Sequence, residues 1–322
     1  MGIRVLKGGM MTTVQDLGRT GYQSQGFSVS GVMDVRSFKI ANLLLDNPEN
    51  EAVLEFTLIG PTLEFTSETI ISITGGDFRP QINGKPAKMY TAIYMHRGDI
   101  LTFGGARTGT RGYIAFSSYL DVPVVMGSRS TNIKCQIGGY KGRKLEDEDY
   151  IAFRAKRRYL PYYLSRSLDL DEFDQEKMFT KEGRETFLNS EYTVTSEFDR
   201  MGCRLEGPFI AYKTTSDIIS DGIAFGSVQV PSHGKPIILL ADRQTTGGYA
   251  KIATVVSVDI PKLVQRKTEQ KVRFQAVSVE EAQKLLADEM KELNDFRSQI
   301  YTPCKEVLDC RLVAKRISTL FK

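Results

Sequence analysis

The chain has 322 residues, 43 lysines and arginines against 39 acids, a formal charge of +4, and 41% hydrophobic and 25% charged residues. This is a globular composition that excludes general disorder, and the length makes room for two domains of about 150 residues. No apolar run approaches the ~18 residues of a membrane span. The last 22 residues hold five bases and two acids, so the rest is near neutral and lacks the field that steers nucleic acid.

The first residues (MGIRVLK) have no long apolar segment, so no signal peptide is expected and the expected location is cytoplasmic. Residues 1–153 read as an N-terminal subdomain of mostly short strands. Segments 52–57 (AVLEFT) and 70–74 (IISIT) are rich in β-formers, and Asn83-Gly84 marks a hairpin. Segments 99–103 and 112–116 continue the series of short strands, a spacing typical of a barrel or sandwich. One helix interrupts it. Asp34 can cap that helix, Phe38, Ala41 and Leu45 fall on one face, and Asn47-Pro48 ends it.

Residues 154–190 read as a linker, with a basic cluster at 154–158 followed by tyrosines and a short helix at 182–188. A second β region, 191–277, contains the apolar run 237–241, which fits a strand buried on both faces, and a similar run at 253–258. Residues 278–322 form a C-terminal helix and basic tail. Ser278 and Glu281 have the spacing of a capping box, and Ala282, Leu285, Leu286, Met290, Leu293 and Phe296 make an apolar stripe expected to pack on the body.

The cysteines, Cys135, Cys203, Cys304 and Cys310, form no CxxC pair and read as reduced thiols. The only histidines, His96 and His233, sit in turn-like contexts. A histidine-based triad or metal site is therefore not expected, and no metal is assigned.

Three segments break the local patterns with dense polarity: 12–22 (TTVQDLGRTGY), 196–205 (SEFDRMGCRL) and 241–249 (ADRQTTGGY). Arginine forks bind carboxylates, threonine and glutamine orient carbonyls, and glycines let the backbone approach a ligand. The candidate catalytic residues are Asp16, Arg200, Arg243 and Gln244. The candidate substrate-binding residues are Thr12, Thr13, Gln15, Arg19, Asp34, Arg129, Arg204, Thr245, Thr246, Gly247, Gly248 and Tyr249. Arg200 and Arg204, four apart, are placed to share a face or grip one anion. The competing reading is structural, with Asp–Arg pairs pinning glycine-rich turns. The chain has no GxxxxGK[ST] loop, no strand-linked GxGxxG, no GxSxG and no Ala-Met-Lys-Met biotin attachment sequence.

With Ser30-Gly31-Val32-Met33-Asp34, Gly127-Ser128-Arg129-Ser130-Thr131 and the run through Gly207-Pro208, these segments resemble the family of the 5-oxoprolinase C subunit, also described as the biotin-dependent carboxyltransferase or allophanate hydrolase subunit 2 family. The resemblance covers roughly residues 1–285. It implies two cyclophilin-like β-barrel subdomains. It also implies work with subunits A and B to open 5-oxo-L-proline to L-glutamate at the expense of ATP, with a lactam or amide as substrate and this chain inactive alone. ATP would belong to the complex, since no nucleotide motif is present here. Two alternatives follow from the same resemblance: the carboxyltransferase part of a biotin-dependent urea carboxylase, and a regulatory protein that captures a subunit-B-like kinase inhibitor.

Overall fold

The computed structural model describes residues 1–155, 185–210, 217–249 and 251–301. Its first half runs β1 (Gly2–Lys7), β2 (Met11–Gln15), α1 (Val35–Leu44), β3 (Val53–Thr57), β4 (Thr62–Phe65), β5 (Thr69–Gly75), β6 (Pro80–Ile82), β7 (Lys85–Pro86), β8 (Ala92–Met95), β9 (Ile100–Phe103), β10 (Arg111–Phe116) and β11 (Tyr150–Ala152). The second runs α2 (Glu185–Asn189), β12 (Tyr192–Phe198), β13 (Gly202–Glu206), β14 (Asp217–Gly222), β15 (Ser227–Gln229), β16 (Ile237–Leu239), β17 (Thr246–Tyr249), β18 (Lys251–Thr254), α3 (Ile260–Val264), β19 (Lys271–Val272) and α4 (Val279–Tyr301). The chain is mainly β, as its strand-forming segments and turn residues imply.

In the first half, the antiparallel sheets β11-β1-β4-β9-β6-β7 and β2-β3-β10-β5-β8 enclose one core. Ile3, Val5, Leu63 and Phe65 of one sheet meet Val14, Leu54, Phe56, Ile73 and Ile114 of the other. β10 is buried along its whole length because α1 covers its outer face: Phe38, Ala41 and Leu45 pack with Ile70, Tyr113 and Ala115. Asp34 caps α1, accepting from the Ser37 amide at 2.9 Å. The β6/β7 hairpin turns on Asn83 and Gly84, both at positive φ, as a tight two-residue turn requires.

The second half is the sheet β18-β15-β16-β13-β12-β19 with a separate β14-β17 ribbon. One face of the sheet carries Val194, Cys203, Leu205, Val228 and Ile238, and α3 covers them with Ile260, Leu263 and Val264. The run 237–241 is therefore not buried on both faces: Ile238 is buried, while Ile237 and Leu239 are half-exposed. The run 253–258 also differs from expectation. The strand is Lys251–Thr254, which among the described residues pairs only with β15 and alternates in exposure, and the chain then turns through Ser257–Asp259 into α3. Of the expected helix at 182–188, residues from Glu185 onward form α2; residues 182–184, most of the basic cluster at 154–158, Cys304, Cys310 and the tail lie outside the described residues.

The capping box of α4 forms reciprocally, with Ser278 N donating to Glu281 at 2.7 Å and Glu281 N to Ser278 Oγ at 3.1 Å. Its stripe divides in two. Leu293, Phe296 and Ile300 pack against Ile40 and Leu44 of α1, whereas Leu285, Leu286 and Met290 are exposed. The cause is length. Ten residues of α1 reach about 15 Å and 23 residues of α4 about 35 Å, so α1 can cover only part of the longer helix. A bidentate pair from Arg36 to Glu292, at 2.8 and 2.9 Å, fixes the crossing.

The halves interlock. Met33, from the first half, is fully buried in the core of the second. In return, Gln265 after α3 reaches into the first half. Its Oε1 accepts from the amides of Thr110 and Arg111 at 3.0 and 3.1 Å, and its Nε2 donates to Asp34 at 2.9 Å.

Candidate functional site

The polar segments, far apart in sequence, meet where the halves join. Val32 N donates to Asp16 O, Ser30 N to Ala241 O, and Asp242 N to Arg200 O. Segments 12–22, 28–33, 128–131, 199–204 and 241–243 thus form one cluster.

Asp16 follows β2 and is 2% exposed. Its carboxylate accepts from Ser128 Oγ at 2.6 Å, Ser130 Oγ at 2.5 Å, Arg129 N at 2.6 Å and Gly18 N at 2.8 Å. Four donors saturate it and fix the 16–19 turn against the 128–131 loop. Arg19, also buried, donates to Ser30 Oγ at 3.2 Å and to the Ser130 carbonyl. Burial lowers its pKa, against the raising influence of Asp16 and Asp242. Thr12, Thr13 and Gln15 are buried on β2, and Gln15 Nε2 donates to Thr13 Oγ1 and Thr131 O at 3.0 and 3.2 Å. Gln15 Oε1, Arg19 Nε, Arg129 Nε and Thr12 Oγ1 have no hydrogen-bond partner among the described residues.

Arg200 and Arg204 do not share a face. In a helix a spacing of four would align them, but here Arg200 lies in the β12/β13 turn and Arg204 on the outer side of β13, beside Glu197 at 2.9 Å. Arg200 is 7% exposed. Its Nη1 donates to Glu55 at 2.5 Å, its Nε to Asp242 at 2.8 Å, and its Nη2 to Gly31 O at 2.5 Å. Burial opposes its charge, but Asp242 and Glu55 outweigh that and raise its pKa.

Arg243 is as buried as Arg200 but has no carboxylate partner among the described residues. It donates from Nε to Ile223 O at 3.1 Å and from Nη1 to Leu240 O at 3.2 Å, with its guanidinium 5.6 Å from the Phe225 ring. Burial alone lowers its pKa. Beyond it, Gln244, Thr246 and Tyr249 are exposed, and Thr245, Gly247 and Gly248 half-exposed. These residues, which run into β17, are the solvent-facing part of the cluster.

Asp34 lies elsewhere, bonded to Ser37 and Gln265. Burial raises its pKa, while bonds from Ser37 and Gln265 and the charge of Arg36 work the other way. It is the one predicted site residue lining a cleft of about 1650 Å³ between α1, α3, α4 and the β5–β6 and β9–β10 loops. The cleft's cations are engaged by the protein. Arg107 pairs with Asp77, Lys262 with Asp259, and Arg36 with Glu292, while Arg79 and Lys267 donate to carbonyls of the 105–107 loop. Among the described residues, no set of three His, Cys, Asp or Glu side chains is placed to hold a metal ion, and no helix is long and apolar enough to cross a membrane.

Two central residues were not among the candidates. Glu55 is 2% exposed and accepts from Met33 N at 2.8 Å, Tyr113 Oη at 3.0 Å and Arg200. Its signal was visible: an acid inside the apolar run AVLEFT must be paired if the strand is buried. Gln265 had no comparable signal, since an amide after a short helix looks like surface.

The family model for the carboxyltransferase domain, subdomains A and B, matches residues 25–276, and the chain belongs to that family. It is 34% identical to the C subunit of 5-oxoprolinase from Escherichia coli K12 over 299 residues, covering 90% of this chain and 96% of that one. It is 36% identical to the C subunit of 5-oxoprolinase from Haemophilus influenzae over 282 residues, covering 85% of this chain and 90% of that one. The crystal structure of the Kluyveromyces lactis urea carboxylase superposes with a TM-score of 0.81 at 28% identity, over 92% of this chain and 29% of that one.

Proposed function

We propose that this chain is the C subunit of a cytoplasmic, ATP-dependent 5-oxoprolinase, acting with subunits A and B to open 5-oxo-L-proline to L-glutamate. The observation that carries the reading is the relationship to two oxoprolinase C subunits over nine-tenths or more of their own length. The urea carboxylase relationship concerns under a third of that longer enzyme, which favours a shared fold over a shared reaction.

The substrate is a carboxylate joined to a lactam. Arg243 and the residues after it supply a buried cation and the hydroxyls of Thr245 and Thr246, a donor set suited to orienting such a ligand and stabilising negative charge on the lactam oxygen. Arg200 and Asp16 hold that segment and the 16–19 turn from behind, which makes them positioning residues. ATP supplies the energy for ring opening within the complex, and this chain binds and orients the lactam.

The test is ATP-dependent glutamate release from 5-oxo-L-proline by the chain alone, with its subunit-B-like partner, and with subunits A and B. Activity only in the full set is expected. No activity in the full set, despite stable assembly, overturns the reading. Carboxylation of urea by a biotin-loaded complex would replace it with the carboxyltransferase reading, and tight capture of the B-like protein without turnover with the regulatory one.

A further inference from the structure

Arg243, Thr245 and Thr246 come from the second half, whereas Asp16, Arg19 and the 128–131 loop come from the first. The candidate site is therefore complete only when the halves stand in one fixed relation. The turn that carries Arg243 is held from both sides. Leu240 N donates to Met201 O at 3.0 Å and Asp242 N to Arg200 O at 2.8 Å, while Ser30 N of the first half donates to Ala241 O at 3.2 Å. The Asp242 carboxylate also accepts from Arg200 Nε at 2.8 Å. Arg200 thus stands behind the turn, and its two remaining nitrogens reach into the first half.

Two strands build the place where that guanidinium lands. Glu55 on β3 and Tyr113 on β10 are register partners, so their side chains share one face of the sheet. Thr13 on β2 is the partner of Glu55 on its other side. Tyr113 Oη accepts from Asp34 N at 2.9 Å, which commits its proton to Glu55 Oε2 at 3.0 Å. Glu55 Oε2 accepts from Met33 N as well, at 2.8 Å, and Oε1 is left for Arg200 Nη1. Arg200 Nη2 donates to Gly31 O. Segment 31–34 is thereby pinned at Gly31, Met33 and Asp34 by the same three side chains that join the halves. Tyr113, Glu55 and Arg200 are all more than nine-tenths buried, where each bond of such a chain polarises and strengthens the next. Burial and the Glu55 charge raise the Tyr113 pKa well above its ordinary value, so the phenol remains a donor at neutral pH.

Resting on the proposed function for the reaction served, we infer that Glu55 and Tyr113 are a positioning pair, which through Arg200 and Asp242 sets Arg243 and the donors after it against the first-half residues of the site. Neither side chain touches the substrate. The pair acts on orientation, and a shift of about 1 Å in a positioned group costs up to about a hundredfold in rate.

The experiment has two arms, both on the full chain, with wild type, Tyr113→Phe and Glu55→Gln compared. In complex with subunits A and B, kcat and KM for 5-oxo-L-proline are measured at temperatures where melting shows each variant folded. Tyr113→Phe is expected to lower kcat about fivefold and Glu55→Gln at least about tenfold, with KM within about twofold of wild type, the pattern of an interaction realised in the transition state. In the chain alone, hydrogen exchange is expected to quicken at the amides of Asp242 and Arg243 while Val194, whose amide is bonded to Gln270 O within the second half, keeps its protection. A merely structural role would lower the melting temperature and leave the kinetics of the folded variants alone. Unaltered kcat in both variants, a rise in KM with kcat unchanged, or exchange that quickens equally at Val194 overturns the inference. If the wild-type complex itself releases no glutamate, the oxoprolinase reading falls, and the exchange pattern alone decides the pair.

Discussion

Arg200 Nη1 donates to Glu55 Oε1 at 2.5 Å, joining two residues 145 positions apart and both more than nine-tenths buried. This contact and the second one to Asp242 tie the first half, the second half and the 241–243 loop to a single guanidinium.

Arg200→Met is expected to destabilise the chain by about 3–5 kcal/mol, because it leaves a buried carboxylate without its cation. Urea unfolding of the whole protein measures this. The double variant Arg200→Met/Glu55→Gln should recover part of the loss, and strictly additive losses would show that the two residues are not coupled.

Gln265→Ala is expected to cost at least about 2 kcal/mol, since it strips an acceptor from two buried amides and a donor from Asp34. Hydrogen exchange at Thr110 and Arg111 should rise with it. Unchanged protection there would mean that the halves are held together without this amide.

Cys203 and Cys135 differ in access. Cys203 is fully buried and its thiol is pushed by burial up to about 12, whereas Cys135 is exposed. At pH 8, alkylation followed by peptide mapping should label Cys135 within minutes and leave Cys203 unmodified until the protein unfolds. The same thiol sets an alkaline limit. Its proton leaves the unfolded chain near pH 9 and the folded chain only near 12, so the unfolded state binds fewer protons in that window and stability falls as pH rises through it. The slope from this group is about 1.4 kcal/mol per pH unit. Cys203→Ala should flatten it.

Along α4, Leu286→Lys and Met290→Lys are expected to change stability by no more than about 0.5 kcal/mol, because both side chains already face water. Phe296→Ala, against α1, should cost at least about 2 kcal/mol. Equal costs at both ends in thermal or urea unfolding would contradict the divided stripe.

The sequence shows the local devices clearly. The Asp34 cap, the Asn83-Gly84 hairpin and the Ser278/Glu281 box depend on neighbouring residues only, and each is found where the residues place it. Burial that depends on distant elements is less legible. Nothing within 237–241 says that only one face is covered, and nothing in the α4 stripe says how far α1 reaches. Within the candidate cluster, the polar segments announce themselves by composition, but not which side chains the protein keeps for its own structure. Asp16 and Arg200 look like chemistry in one dimension because buried pairing and catalysis use the same residue types.

The order of synthesis gives the Arg200–Glu55 contact a temporal meaning. At about 5–20 residues per second, Glu55 leaves the ribosome roughly 7–30 s before Arg200. During that interval Glu55 has Arg111, Tyr113 and Met33 of its own half about it but lacks its ion-pair partner, the Arg200 guanidinium. Arrival of the β12/β13 turn completes the ion pair, so this contact closes only once the second half docks.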